Sequence, residues 1–231
     1  MSNILKKERE VVIPGETIAE GMDYLPGDNT YREGEKIFSK VLGLVGVTGR
    51  VMKITPLSGP YIPMTGDKII AKVFDITMSG WRFETNTAYS AMMNVKDASS
   101  RFIKRDEDLS KILAIGEYAV VKITKVTSQN LIDLTMKEPG LHSISGGRLV
   151  KINSQKVPRI IGKQGSMVTM IKSATGCQII VGQNGVVFVK GINPEDEILT
   201  VKTIKKIEEE SHVAGLTDKI KEFLDKKSKK R

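Results

Sequence analysis

Ile160-Ile161-Gly162-Lys163-Gln164-Gly165-Ser166 is the stretch on which the fold turns. Two glycines bracket Lys163 and Gln164, and apolar residues crowd in from both sides. Upstream, Arg148 to Asn153 alternates as a strand, and Ser154 stands where it can cap a short helix running through Ile161. Downstream, Ser166-Met167-Val168-Thr169-Met170-Ile171-Lys172-Ser173-Ala174-Thr175 reads as a second helix closed by Gly176. Cys177 to Val181 and Val186 to Lys190 follow as strands, joined by the tight turn Gly182-Gln183-Asn184-Gly185. Asn193-Pro194-Glu195 then starts a helix toward Ser211, with Ile198, Val201, Ile204 and Ile207 on one stripe. The order is strand, helix, GxxG, helix, strand, strand, helix: an α+β unit.

A phosphate fits such a loop for a physical reason. Glycines at 162 and 165 permit a tight turn and leave the second helix's first amides open to an anion, where side chains would push a nucleic-acid backbone away. Lys163 adds a mobile positive charge. A lone GxxG marks only a turn in many proteins, so its surroundings decide. No acidic residue occurs between Glu138 and Glu195, while Arg148, Lys151, Lys156, Arg159, Lys163, Lys172 and Lys190 all fall there. A basic run is commonly just a solvated face, but a folded segment this long without one acid implies a surface for a polyanion. The whole segment resembles a type I KH domain, a fold that clamps about four nucleotides of RNA. On that reading Arg159, Ile161, Gly162, Lys163, Gln164, Gly165 and Lys172 carry the RNA contact.

Upstream, Glu138-Pro139-Gly140-Leu141-His142-Ser143-Ile144-Ser145-Gly146-Gly147 reads as a domain boundary. Residues 58–138 before it form a five-stranded β-unit. Gly66-Asp67 opens a strand in which Ile69, Ala71, Val73 and Asp75 alternate with Ile70, Lys72 and Phe74. Trp81-Arg82-Phe83-Glu84 and Ser90-Ala91-Met92-Met93 are further strands, Arg101 to Ile115 a charged helical connection, and Tyr118 to Val126 pairs with Gln129 to Met136. This spacing fits a small Greek-key barrel of OB type, whose strand face binds single strands, and period 2 alone fits any other small β-barrel equally. Trp81 and Phe83 share a face at period 2. They either stack bases or fill the barrel, and aromatics make up only 5% of the chain, which favours filling. Lys122 and Lys125 are candidates for tracking phosphates, or plain solvated charges.

Residues 1–57 hold short strand-like runs broken by turns: Val11 to Ile13, Ile37 to Val45, and Val47 to Val51. Eight bases balance eight acids there, so a small neutral β-domain for docking is expected. The charge lies elsewhere. Residues 1–140 net to +1 and residues 141–231 to +8, of the total +9. The last residues, 215–231, read as a basic tail that adds nonspecific RNA affinity, with Lys226-Lys227-Ser228-Lys229-Lys230-Arg231 at its end.

Composition excludes several functions. One cysteine, Cys177, rules out an intrachain disulfide and a cysteine-rich zinc ribbon, and reads as a small core residue. With only His142 and His212 besides, no metal or other cofactor is expected, and no catalytic residues can be assigned. Asp106-Glu107-Asp108 and Glu208-Glu209-Glu210 read as solvated charges, and Met167 and Met170 as core. No stretch has the ~20 apolar residues of a membrane span. Charges occupy the N-terminal MSNILKKERE, so a cytoplasmic location is expected.

Beyond the GxxG segment and the barrel, the chain carries Val11-Val12-Ile13-Pro14-Gly15-Glu16 and Asn29-Thr30-Tyr31-Arg32-Glu33-Gly34-Glu35. It also carries Val41-Leu42-Gly43-Leu44-Val45, Pro56-Leu57-Ser58-Gly59-Pro60-Tyr61-Ile62-Pro63 and Gly66-Asp67. With these the chain resembles, over nearly its whole length, the RNA-binding cap subunits of the archaeal exosome, of the ribosomal RNA-processing protein four type. The resemblance implies three copies on a ring of RNase PH-like subunits, the N-terminal domain docked on the ring and the S1 and KH domains turned to single-stranded RNA. Phosphate-dependent 3′→5′ degradation then belongs to the ring. The barrel departs from the usual S1 pattern, since Gly80-Trp81-Arg82-Phe83 stands in place of a Gly-aromatic-Val element and no His lies within the barrel. The alternative is a stand-alone S1/KH RNA-binding factor of translation or transcription. A polyribonucleotide phosphorylase carries these domains in the reverse order, and 57 leading residues cannot supply its catalytic core.

Overall fold

The computed structural model describes residues 3–101, 103, 107–211 and 215–228, so the readings of Asp106 and of the last three residues fall outside it. The chain divides into two compact units, Met1–Gly59 and Pro60–Arg231. The first is built from two four-stranded sheets. One is ordered β1 (Asn3–Ile4), β3 (Thr17–Glu20), β6 (Lys36–Ser39), β5 (Thr30–Glu33); the other β2 (Val11–Val12), β7 (Gly43–Thr48), β8 (Val51–Pro56), β4 (Leu25–Pro26). Val12, Ile18, Ile37, Val45, Met52 and Ile54 form their shared core. The expected strand over residues 37–45 is broken in two. Ser39 Oγ turns back to donate to the Val41 carbonyl at 2.7 Å, which ends β6. Gly43 then lets β7 press against β8, since a Cβ there would strike Ile54 and Thr55.

The second unit opens with the barrel: β9 (Lys68–Thr77), β10 (Gly80–Glu84), β11 (Ser90–Asn94), β12 (Tyr118–Val126) and β13 (Ile132–Thr135). The sheet runs β13-β11-β10-β9-β12 and closes because β12 also pairs with β13. β11 and β13 are parallel and the other pairs antiparallel, the topology of an OB-type barrel. Ile69, Ala71, Val73, Trp81, Phe83, Met93, Val121 and Ile123 fill it. The helical connection expected over residues 101–115 is reduced, among the described residues, to one 3-10 turn, Leu109–Lys111, capped by Asp108. A short helix, α1 (Val95–Ala98), follows β11.

Past the barrel the chain forms the predicted α+β unit. β15 (Arg148–Lys151), β17 (Val186–Lys190) and β16 (Gln178–Val181) make an antiparallel sheet in that order. α2 (Val157–Ile161), α3 (Ser166–Thr175) and α4 (Pro194–Glu209) pack with it around Val157, Ile160, Met167, Ile171, Cys177 and Ile204. Three details differ from expectation. Asn153, not Ser154, caps the turn before α2, its side chain accepting from Gln155 N at 2.9 Å. α4 buries Thr200, Thr203, Ile204 and Ile207, while Ile198 is 42% exposed, because the inward face is set by the approach of α2 and α3 and not by hydropathy alone. The expected tail is a helix over most of its length: α5 (Leu216–Ser228) buries Leu216, Ile220 and Leu224 in the same core. Spacing of four places these three on one face.

The expected boundary at residues 138–147 is no linker. It contains β14 (Ser143–Ile144), which pairs with β12, and buries Leu141 and Ile144 beside Ile70, Val120, Val186 and Phe188. The β16–β17 turn completes the junction. Asn184 is 1% exposed, and its Nδ2 donates to the carbonyls of Ile70 (2.8 Å) and Thr85 (2.9 Å) in the barrel. Gln183 N donates to Lys68 O at 2.9 Å, and Asn86 Nδ2 to Asn184 O at 3.1 Å. Barrel and α+β domain are thus joined by a hydrogen-bonded apolar seam.

Candidate nucleic-acid interface

The loop Gly162-Lys163-Gln164-Gly165 links α2 to α3 through a backbone that few residues tolerate. Gly162 sits at φ 76°, ψ 172°, Gln164 at φ 53° and Gly165 at φ 80°. Gly162 N donates to Pro158 O at 2.9 Å and Gly165 N to Gly162 O at 3.2 Å, so the turn is held from within. A Cβ on Gly162 would lie 2.7 Å from Met167 N, whereas one on Gly165 meets nothing within 4 Å. The two glycines therefore act differently. Gly162 lets α3 start against the end of α2, and Gly165 keeps the outer surface bare and the left-handed turn relaxed. No side chain caps the α3 N-terminus, which leaves the helix end available to an anion.

Most of the expected interface residues stand at or beside this loop, and Lys172 lies further along α3. Lys163 and Gln164 are exposed at its tip, Arg159 is exposed on α2, and Lys172 is exposed toward the far end of α3. Ile161 is half-buried beside the loop. Among the described residues no ion pair engages Arg159, Lys163 or Lys172. Other bases of the acid-free segment are partly spent on the fold. Arg148 pairs with Glu197 at 2.9 Å, and the Gly191 amide with that guanidinium holds the Glu197 carboxyl below the usual range. Lys156 Nζ donates to Glu208 O at 2.9 Å and Lys190 Nζ to Ser145 O at 3.1 Å.

The barrel residues require correction. Trp81 and Phe83 are 0% exposed, and Trp81 Nε1 donates to Leu113 O at 2.9 Å inside the barrel, so neither ring can stack a base. Of the two lysines, Lys122 pairs with Glu138 at 2.6 Å, while Lys125 is exposed and, among the described residues, in no ion pair. Among the described residues the exposed rings of the barrel are Phe74 and Tyr89, at 44% and 43%. Phe74 lies at a β-bulge, where the β9–β10 register slips between Arg82 and Phe83 and leaves it unmatched. The sequence puts Phe74 on the face opposite Val73, which is the available signal for it.

A five-stranded OB-type barrel fused to a KH domain with an open GxxG loop defines a class of modular single-strand-binding proteins. Comparison with known proteins narrows the class. The sequence model of the exosome RNA-binding protein RRP4 N-terminal domain matches residues 9–58, and that of the KH domain matches residues 148–199. Exosome complex component Rrp4 of Thermococcus kodakarensis is 45% identical over 97% of this chain and 88% of its own. Its counterpart in Methanothermus fervidus is 40% identical over 94% of this chain and 96% of its own. A crystal structure of a protein assigned as an exosome complex RNA-binding protein superimposes with a TM-score of 0.65 at 30% identity, covering 73% of this chain and 97% of that one. The chain belongs to the archaeal exosome Rrp4 family.

Proposed function

We propose that this protein is a non-catalytic, cytoplasmic RNA-binding cap subunit of an exosome, which captures single-stranded RNA and passes it to a 3′→5′ exoribonuclease ring of RNase PH-like subunits, three copies to a ring. The observation that carries the RNA-binding part is the loop. A bare Gly165 surface, an uncapped α3 N-terminus and, among the described residues, Arg159 and Lys163 in no ion pair stand together at one place. Gly162 and Gly165 give the backbone its turn, Lys163 and Gln164 present donors, and Ile161 offers an apolar flank to a base. These groups hold a phosphodiester; none of them activates a water or forms a covalent intermediate. Lys172 and, in the barrel, Lys125 with Phe74 extend the surface.

The ring-docking part is supported by the first unit. Its charges balance, and Val11, Ile13, Met22 and Leu25 are each more than half exposed, which suits a protein partner better than a polyanion. Full-length protein should co-migrate with RNase PH-like subunits in size exclusion and increase RNA degradation by them. A chain lacking residues 1–59 should bind RNA as before and fail to co-migrate. Co-migration of the truncated chain would put docking elsewhere, and a full-length chain that never co-migrates would overturn the exosome reading.

A further inference from the structure

The loop has a second side. A cleft of about 640 Å³ runs from it to the start of α5, with Arg159, Gly162 and Lys163 on one wall and Thr217 and Asp218 on the other. Thr217 and Asp218 are exposed, and among the described residues no ion pair engages Asp218, Arg159 or Lys163. The walls thus differ in kind. One presents two cations and the bare glycine turn, the other a hydroxyl and an acceptor-only carboxylate. Asp218 stands in the first turn of α5, where its charge also suits the helix dipole, and it shares the cleft with two cations without an ion pair to either. α5 itself is held by Leu216, Ile220 and Leu224, which leaves Thr217 and Asp218 to the cleft.

We propose that this cleft is a second nucleotide subsite, beyond the clamp, and that α5 is part of the RNA-binding surface. The proposal rests on the loop being the phosphate clamp. The nucleotide adjoining the clamped one lays its phosphate between Arg159 and Lys163 and turns its nucleoside toward α5. A carboxylate repels a phosphate but accepts hydrogen bonds from a ribose 2′-hydroxyl or an exocyclic base amine, so Asp218 faces the nucleoside and fixes its direction. Thr217 supplies a hydroxyl that donates or accepts beside it. Without such a bond Asp218 acts on RNA only as an unfavourable charge, and the two roles predict effects of opposite sign.

The test uses the full chain and fluorescently labelled single-stranded RNA and DNA of one mixed sequence, with thermal unfolding to confirm that each variant is folded. Asp225→Ala removes the same charge from the same helix outside the cleft, and it should leave affinity unchanged or raise it slightly. Asp218→Ala should instead weaken RNA binding about fivefold, equivalent to about 1 kcal/mol. Loss confined to RNA assigns the contact to the 2′-hydroxyl; equal loss on DNA assigns it to a base donor. Unchanged or tighter binding by Asp218→Ala overturns the subsite. The parent reading is tested separately by replacing Lys163 and Gln164 together with Asp. If that variant binds RNA as well as the unmodified chain, the clamp itself is wrong; if it loses binding while Asp218→Ala does not, only the subsite falls.

Discussion

A Cβ at Gly162 would press on Met167 N at 2.7 Å, while one at Gly165 would point into open space, although both residues occupy positive φ. The αL backbone of Gly165 costs an alanine about 1–2 kcal/mol, and Gly162, at φ 76°, ψ 172°, lies in a region essentially confined to glycine, where another residue is strained by about 1–3 kcal/mol. At Gly162 the clash is with a backbone nitrogen that α3 fixes in place, and it adds to that cost. Gly165→Ala should therefore lower stability by about 1 kcal/mol, and Gly162→Ala by more than about 2 kcal/mol. Urea unfolding of both variants measures the difference, and equal midpoint shifts would show that the contact at Gly162 relaxes freely. The GxxG pattern was legible from residue identity because only glycine suits these angles. The different tasks of its two glycines were not, since they depend on where α3 lies. Trp81 and Phe83 show the same limit. A period of 2 places them on one face, but whether that face lies inside the barrel is set by strand closure.

At the scale of elements, glycine punctuation made the KH helices readable: α3 begins and ends where Gly165 and Gly176 say it should. α5 escaped notice because Lys219, Lys221 and the lysines after Leu224 read as a charged tail, whereas three apolar residues four apart are enough to seat it. The seam at Asn184 was equally hidden. Gly182-Gln183-Asn184-Gly185 reads correctly as a tight turn, but nothing local reveals that its Asn reaches 114 positions back to Ile70. Replacing Asn184 with Ala leaves the Ile70 and Thr85 carbonyls without that partner in a buried junction. The loss should be about 2–4 kcal/mol, by the cost of stranding buried polar groups. It should also weaken the coupling of the two domains, so that the variant unfolds in two steps where the unmodified second unit unfolds in one. A single unshifted transition would mean that the apolar seam of Ile70, Val120, Ile144 and Phe188 suffices alone.

For the whole molecule, what matters is where charge sits and what remains of it after folding. Residues 141–231 hold +8 of the total +9, and Arg148 is already neutralised by Glu197 while Lys206 is neutralised by Glu210. Among the described residues, Arg159 and Lys163 at the loop and Lys172 on α3 are exposed and in no ion pair, whereas the first unit contributes nothing net. RNA binding should therefore be driven by counterion release at a few phosphates. Each phosphate contacted on a single strand contributes about −0.7 to the slope of log affinity against log salt, so three or four contacts give about −2 to −3. The same slope should appear in a chain lacking residues 1–59, because no cation of that unit takes part. Titrations of both forms between low and moderate salt decide the matter. A flat response would point to stacking on Phe74 and Tyr89 as the main source of affinity, and a shallower slope in the truncated chain would place RNA contacts in the unit assigned here to protein docking.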